Sequence, residues 1–137
     1  MLTLACLDPF RYKPAVIDRP PLKPLVWMAS SKKDLLAMPG AVVHTFGYAL
    51  HLAQAGGKHE QAKPLKGHGS AGILEVVENW KGGTYRAVYT VRFSDAVTVL
   101  HCFQKKAAKG IATPKPDIDL IESRLSAAEL LSKGAIP

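Results

Sequence analysis

The sequence predicts an α+β domain: a small antiparallel-rich sheet, two N-terminal helices packed on one face, and a C-terminal helix. Three observations predict it. Two short turns, Lys81-Gly82-Gly83 and Ser94-Asp95, separate three apolar runs of strand length, and turns this short join antiparallel neighbours. Apolar residues at helical spacing precede those runs at Val43, Phe46, Leu50 and Ala53, and follow them at Ile118, Ile121, Leu125 and Ala128. The chain has 137 residues, 47% hydrophobic and 21% charged, the size and make-up of one domain with one packed core.

The elements follow in order. Residues 1–22 hold four prolines, Pro9, Pro14, Pro20 and Pro21. Proline fixes φ and removes a donor, so this stretch is expected as an extended arm, with the domain proper at 23–137. Leu25 to Ala29 (LVWMA) is a strand just after Pro24. Ser30 and Ser31 then offer helix caps, and Ser31 with Asp34 makes a capping-box-like pair. That first helix is short, because Pro39-Gly40 stops it. A second helix spans Ala41 to Ala55 and ends at Gly56-Gly57. Residues 56–72 (GGKHEQAKPLKGHGSAG) are expected as a loop rich in glycine and lysine.

Three strands come next, at Ile73–Trp80, Thr84–Phe93 and Ala96–Gln104. In the second, alternation puts Tyr85, Ala87, Tyr89, Val91 and Phe93 on one face, against the helices. Arg86, Val88, Thr90 and Arg92 then point outward as a partly basic face. The third strand is apolar on both faces, which suits an interior position. After a basic stretch and two prolines, Asp117 to Ser132 is the closing helix. The expected order is β-α-α-β-β-β-α, with the helices on one face of the sheet.

A net charge of +7 on so small a domain favours polyanionic partners: nucleic acid, an acidic protein or an anionic surface. No apolar run approaches the ~20 residues needed to span a bilayer, so no membrane role is expected. MLTLACLDPF carries a faint lipoprotein-like pattern before Cys6 but has neither a basic n-region nor a full apolar h-region. A cytoplasmic location is expected, and Cys6 and Cys102 both read as buried thiols.

Several chemistries find no support. His44, His51, His59, His68 and His101 show no metal-ligand spacing; His44 and His51 share a helix face and read as its polar edge. Walker, Rossmann and GxSxG patterns are absent. Glu75 and Glu78 fall on one strand, and no carboxylate pair suits acid–base work at a strand end. Neither a metal nor an organic cofactor is expected. What converges is basic. Arg86 points outward, Lys105 and Lys106 end the neighbouring strand, and Lys66 lies in the loop that feeds the sheet. Such groups, held by a rigid sheet, neutralise charge that develops on phosphorane oxygens. The competing reading is that they are solvated lysines guarding a sheet edge.

Five words of the sequence carry a resemblance: KPLKG at Lys63–Gly67, ILE at Ile73–Glu75, TYRAVY at Thr84–Tyr89, VLHCFQKK at Val99–Lys106, and Thr113-Pro114 with Ile118, Ile121 and Arg124. In this order, across Leu25 to Leu125, they resemble the RelE/ParE toxin superfamily, in particular its phage-derived, HigB-like branch. The resemblance implies the toxin of a type II toxin–antitoxin system, neutralised by a cognate antitoxin, commonly one with a helix-turn-helix domain. It further implies a ribosome-dependent mRNA endoribonuclease, in which the ribose 2′-OH attacks the adjacent 3′-phosphate. Arg86, Lys105 and Lys106 match the catalytic basic set, and Lys63, Lys66, Arg92 and Lys109 would contact RNA. The sequence departs from the pattern at Val77, where many relatives place an arginine. His101 resembles a proton-transfer group but shares its strand face with Val99 and Phe103, which favours a packed, hydrogen-bonded role. The alternatives are a non-enzymatic toxin of the same fold, as ParE-like members act on gyrase, and a domesticated binding domain.

Overall fold

The computed structural model describes residues 22–67, 72–105 and 113–132. Residues 1–21 of the arm, Cys6 among them, and His68, Lys106 and Lys109 lie outside these residues. The described chain runs β1 (Leu25–Trp27), α1 (Ser31–Leu36), α2 (Gly40–Gln54), β2 (Ala62–Pro64), β3 (Ile73–Trp80), β4 (Gly83–Thr90), β5 (Val97–Lys105) and α3 (Lys115–Ser132). The sheet has five strands in the order β1-β5-β4-β3-β2. β1 runs parallel to β5, and the other pairs are antiparallel.

The predicted elements stand within a few residues of their expected bounds, with β5 in the interior as its two apolar faces require. β2 is an addition. Three residues of the expected loop pair with β3 at the sheet edge, Lys63 opposite Glu75. So short a run, ending in Pro64, carries no period to read, and Pro is tolerated at an edge. Local signals at the first helices differ in detail. Ser30, not Ser31, donates to Asp34 Oδ2 at 2.8 Å. Val42 is buried in α2 where Val43 was expected. α2 ends in a Schellman motif: Gly56 N–H reaches Ala53 O at 3.0 Å and Gly57 N–H reaches Leu52 O at 2.8 Å. Gly56 has φ +91°, a conformation that favours glycine.

The layer arrangement is the principal correction. α1 and α2 do cover one face, where Leu35, Val42, Phe46 and Leu50 pack with Val76, Ala87, Tyr89, Val97 and Val99. The closing helix, however, lies on the opposite face, where Ile121 and Ala128 pack with Ile73, Val88 and Leu100. The outward face of β4 is therefore not a solvated basic surface; Val88 and Thr90 are fully buried. The physical reason is that α2 already occupies the first face, so the apolar stripe of α3 must find its own.

β5 contains a bulge. Val88 stands opposite His101 while Tyr89 stands opposite Val99, so Leu100 is an extra residue. Its effect is to send Val99 and Cys102 to the first core and Leu100 and Phe103 to the second. His101 consequently keeps Phe103 as a face neighbour but not Val99. No helix among the described residues is long and apolar enough to cross a membrane.

Candidate functional site

The face under α3 is only partly apolar. Toward the β3–β4 hairpin it turns polar, and strand register brings its groups together. One row across the sheet is Lys63, Glu75, Val88 and His101; the next is Val77, Arg86 and Phe103; the next pairs Thr84 with Lys105. Residues paired across neighbouring strands project on the same side, so Lys63, Glu75, Arg86, His101 and Lys105 share this face.

Arg86 is at its centre and is 4% exposed. Its Nη1 donates to Glu75 Oε2 at 2.8 Å and to Thr113 Oγ1 at 3.4 Å. Thr113 Oγ1 in turn donates to the same Glu75 oxygen at 2.7 Å. Glu75, 13% exposed, thus neutralises the guanidinium and fastens the chain just before α3 to the sheet. Arg86 Nε is buried without a partner, so the guanidinium is charge-balanced but not saturated with acceptors.

His101 makes the second tie. Its Nε2 donates to Asp117 Oδ1 at 2.8 Å, in the first turn of α3, where a carboxylate also suits the helix dipole. Its ring stacks on Phe103 with centroids 4.5 Å apart, and Nδ1 is buried without a partner. The packed, hydrogen-bonded role is the one the structure displays. Further along α3, Arg124 Nη1 donates to the bulge carbonyl of Leu100 at 2.8 Å. The same side chain reaches Ser30 Oγ at 3.3 Å and so connects α3 to the cap of α1.

The basic residues expected in the site divide into two groups. Lys105 is at the end of β5 and is buried, so it is not a solvated edge guard. Lys63 is exposed beside Glu75 on the edge strand. Lys66 and Arg92 lie at the other end of the sheet, where Leu65 N–H bonds Ile73 O and Val91 N–H bonds Gly72 O. There Arg92 pairs with Glu129 of α3 at 2.7 Å. Lys106 and Lys109 are outside the described residues. Glu75, Thr113 and Asp117 were not expected in the site. Among the described residues no group of three His, Cys, Asp or Glu could hold a metal ion.

Cys102 is buried, and burial first, then the nearby Asp34 carboxylate, pushes its thiol up to about 12 against an opposing pull from Arg124. Such a thiol is inert rather than nucleophilic.

Comparison with known proteins adds three findings. A family model described as phage-derived protein Gp49-like (DUF891) matches residues 33–126. A search of curated proteins finds no match. Among solved structures, a chain of the RelBE2 toxin–antitoxin complex from Mycobacterium tuberculosis is similar, with 16% identity and a TM-score of 0.42. The similarity covers 63% of this chain and 94% of that one.

Proposed function

Because this chain belongs to the phage-derived Gp49-like family, a RelE-like toxin family, we propose that it is the toxin of a type II toxin–antitoxin pair and cuts mRNA on the ribosome. The observation that carries the reading is the polar half of the α3 face, where a buried arginine stands on the central strand with Lys63 and Lys105 on the same side. In the proposed reaction the ribose 2′-oxygen bonds to the adjacent phosphorus as its proton leaves. The bond to the 5′-oxygen breaks, that oxygen takes up a proton, and a 2′,3′-cyclic phosphate remains. Arg86, Lys105 and Lys106 would stabilise the charge gathering on the phosphoryl oxygens. Lys63 and Lys109 would hold flanking phosphates, whereas Lys66 and Arg92, at the far end, would add only to the general positive field. The ribosome would supply much of the orientation, which suits a small catalytic set. Neutralisation would come from a cognate antitoxin with a helix-turn-helix domain, and action on ribosomes implies the cytoplasm.

One observation favours a second reading. Glu75 already neutralises the charge of Arg86, so a substrate phosphate has to share or displace a buried carboxylate. A toxin that acts by binding alone, as ParE-like members do on gyrase, needs no such exchange; nor does a domesticated binding domain.

The test is expression under tight control, followed by mapping of mRNA 5′ ends in cells and on programmed ribosomes. Codon-phased cuts that disappear in Arg86→Ala support cleavage. Growth arrest with intact mRNA and trapped gyrase–DNA complexes supports the second reading. Co-expression with a neighbouring helix-turn-helix gene should abolish the arrest and yield a purifiable complex.

A further inference from the structure

The hairpin between β3 and β4 carries an arrangement outside the Arg86 cluster that meets the first core only through Tyr85. Trp80 ends β3, Gly83 begins β4, and the two pair across a two-residue turn. The turn residues Lys81 and Gly82 both have positive φ, +48° and +82°, as type I′ hairpins require. Gly82 adopts this freely. Lys81 does not, because its Cβ crowds the backbone there, and Asn, Asp or Gly is the usual occupant. A lysine at this position is a local departure from the best turn chemistry, and such departures gather where a side chain is needed for function.

What the lysine contributes is charge beside an exposed ring. Lys81 Nζ lies 5.5 Å from the centre of the Trp80 ring, and Trp80 is 37% exposed. Gly83 leaves space next to Trp80 that two neighbours use: a Cβ there would meet Gln104 Nε2 at 3.0 Å and the Tyr85 ring at 3.1 Å. Pairing and alternation put Trp80, Tyr85, Gln104 and the side of Gly83 that the last two fill on one face. A part-exposed indole, an ammonium and a primary amide are thus gathered at one sheet end.

We propose that this hairpin end is a stacking subsite for an unpaired RNA base. Trp80 is the platform, Lys81 meets the adjoining phosphate, and Gln104 bonds the base edge. The subsite rests on the RNA reading above and deepens it. Aromatic faces accept any base, and a basic residue alongside supplies the backbone contact. The +7 charge of the chain favours such a ligand over a cationic or neutral one. Thr84, next to Gly83, pairs with Lys105, so the subsite adjoins the proposed phosphate face. It lies on the other side of the sheet from Arg86, and an RNA strand touching both would pass around the hairpin end.

The test is titration of the full chain with a short labelled single-stranded oligoribonucleotide, read by anisotropy and by tryptophan emission. Trp80→Ala should weaken binding roughly 5- to 150-fold, the value of one stacked base. Trp80→Phe should keep most of the affinity and lose the emission change. Lys81→Asn, which suits the turn better, should leave the melting temperature unchanged or higher, yet weaken binding and lower the salt slope by about one. If the wild-type chain binds and these variants bind equally well, the subsite is wrong and the RNA reading stands. Equal affinity for duplex RNA also overturns the subsite, since a paired base cannot stack there. If the wild-type chain does not bind at all the subsite falls; the RNA reading then falls with it only if Arg86-dependent mRNA cuts are absent too.

Discussion

Arg86 Nη1 donates to Glu75 Oε2 at 2.8 Å, with both side chains largely withdrawn from water. The desolvation cost of two such charges is large, and their attraction offsets it only while both are present. Glu75→Ala should therefore destabilise the fold by about 3–5 kcal/mol, because it strands a buried guanidinium. Glu75→Gln, which keeps an acceptor, should cost less. Urea unfolding measures both. A Glu75→Ala change within about 1 kcal/mol of wild type would mean that Arg86 is solvated in solution, against its 4% exposure.

The alkaline limb of stability has two identifiable sources. Burial raises the Tyr89 phenol from 10.0 to about 12 and the Cys102 thiol from 9.0 to about 12. Both groups are neutral in the folded state until high pH, whereas the unfolded chain releases these protons earlier. Above about pH 9 the unfolded state thus binds fewer protons, and stability should fall as pH rises toward 12. Tyr89 Oη is also buried with no hydrogen-bond partner. Tyr89→Phe should be neutral or stabilising by about 1 kcal/mol at pH 7 and should flatten the limb. Thermal melts at pH 7 and pH 10 check both; a clear loss at pH 7 would show that the hydroxyl has a partner in solution.

Two offsets of one residue, at the hairpin turn and at Leu100, account for part of the distance between sequence pattern and structure. α2 and β4 are legible because each keeps a period over several residues, and β3 because it is an apolar run of strand length bounded by turn residues. The Lys81-Gly82-Gly83 pattern suggests three turn residues, whereas Trp80 pairs with Gly83 across two. That register, in which paired positions sum to a constant, sets Glu75 opposite Val88 and so on the same side as Arg86. The carboxylate that neutralises Arg86 was thus recoverable from turn length alone. Leu100 is the second offset. No local signal marks a bulge in the largely apolar run of β5, yet it separates His101 from Val99. The position of α3 was not legible from periodicity, since an apolar stripe does not say which sheet face it covers.

His101 tests whether the second buried polar tie is structural or catalytic. His101→Phe keeps a ring to stack on Phe103 and removes an Nδ1 that has no partner. It loses the bond to Asp117, whose side chain is 27% exposed and can be hydrated. These effects oppose one another, so stability should change by no more than about 1 kcal/mol. Growth arrest on induction should persist. If the variant folds with wild-type stability and arrest disappears, His101 takes part in proton transfer.

Arg92 provides the contrast with Arg86. Both were expected to meet RNA, yet Arg92 lies two residues past the far end of β4, paired with Glu129 at 2.7 Å and 45% exposed. An ion pair that open to water is worth about 0–1 kcal/mol and is screened by salt. Arg92→Ala should therefore shift the urea midpoint slightly at low salt and not at all near 1 M salt. Growth arrest should survive it, because the proposed phosphate face at Arg86, Lys63 and Lys105 is untouched. Arg86→Ala in the same assay should abolish the arrest. Equal loss in the two variants would mean that RNA is gripped along all of β4 and on to Arg92, and not at the Arg86 end alone.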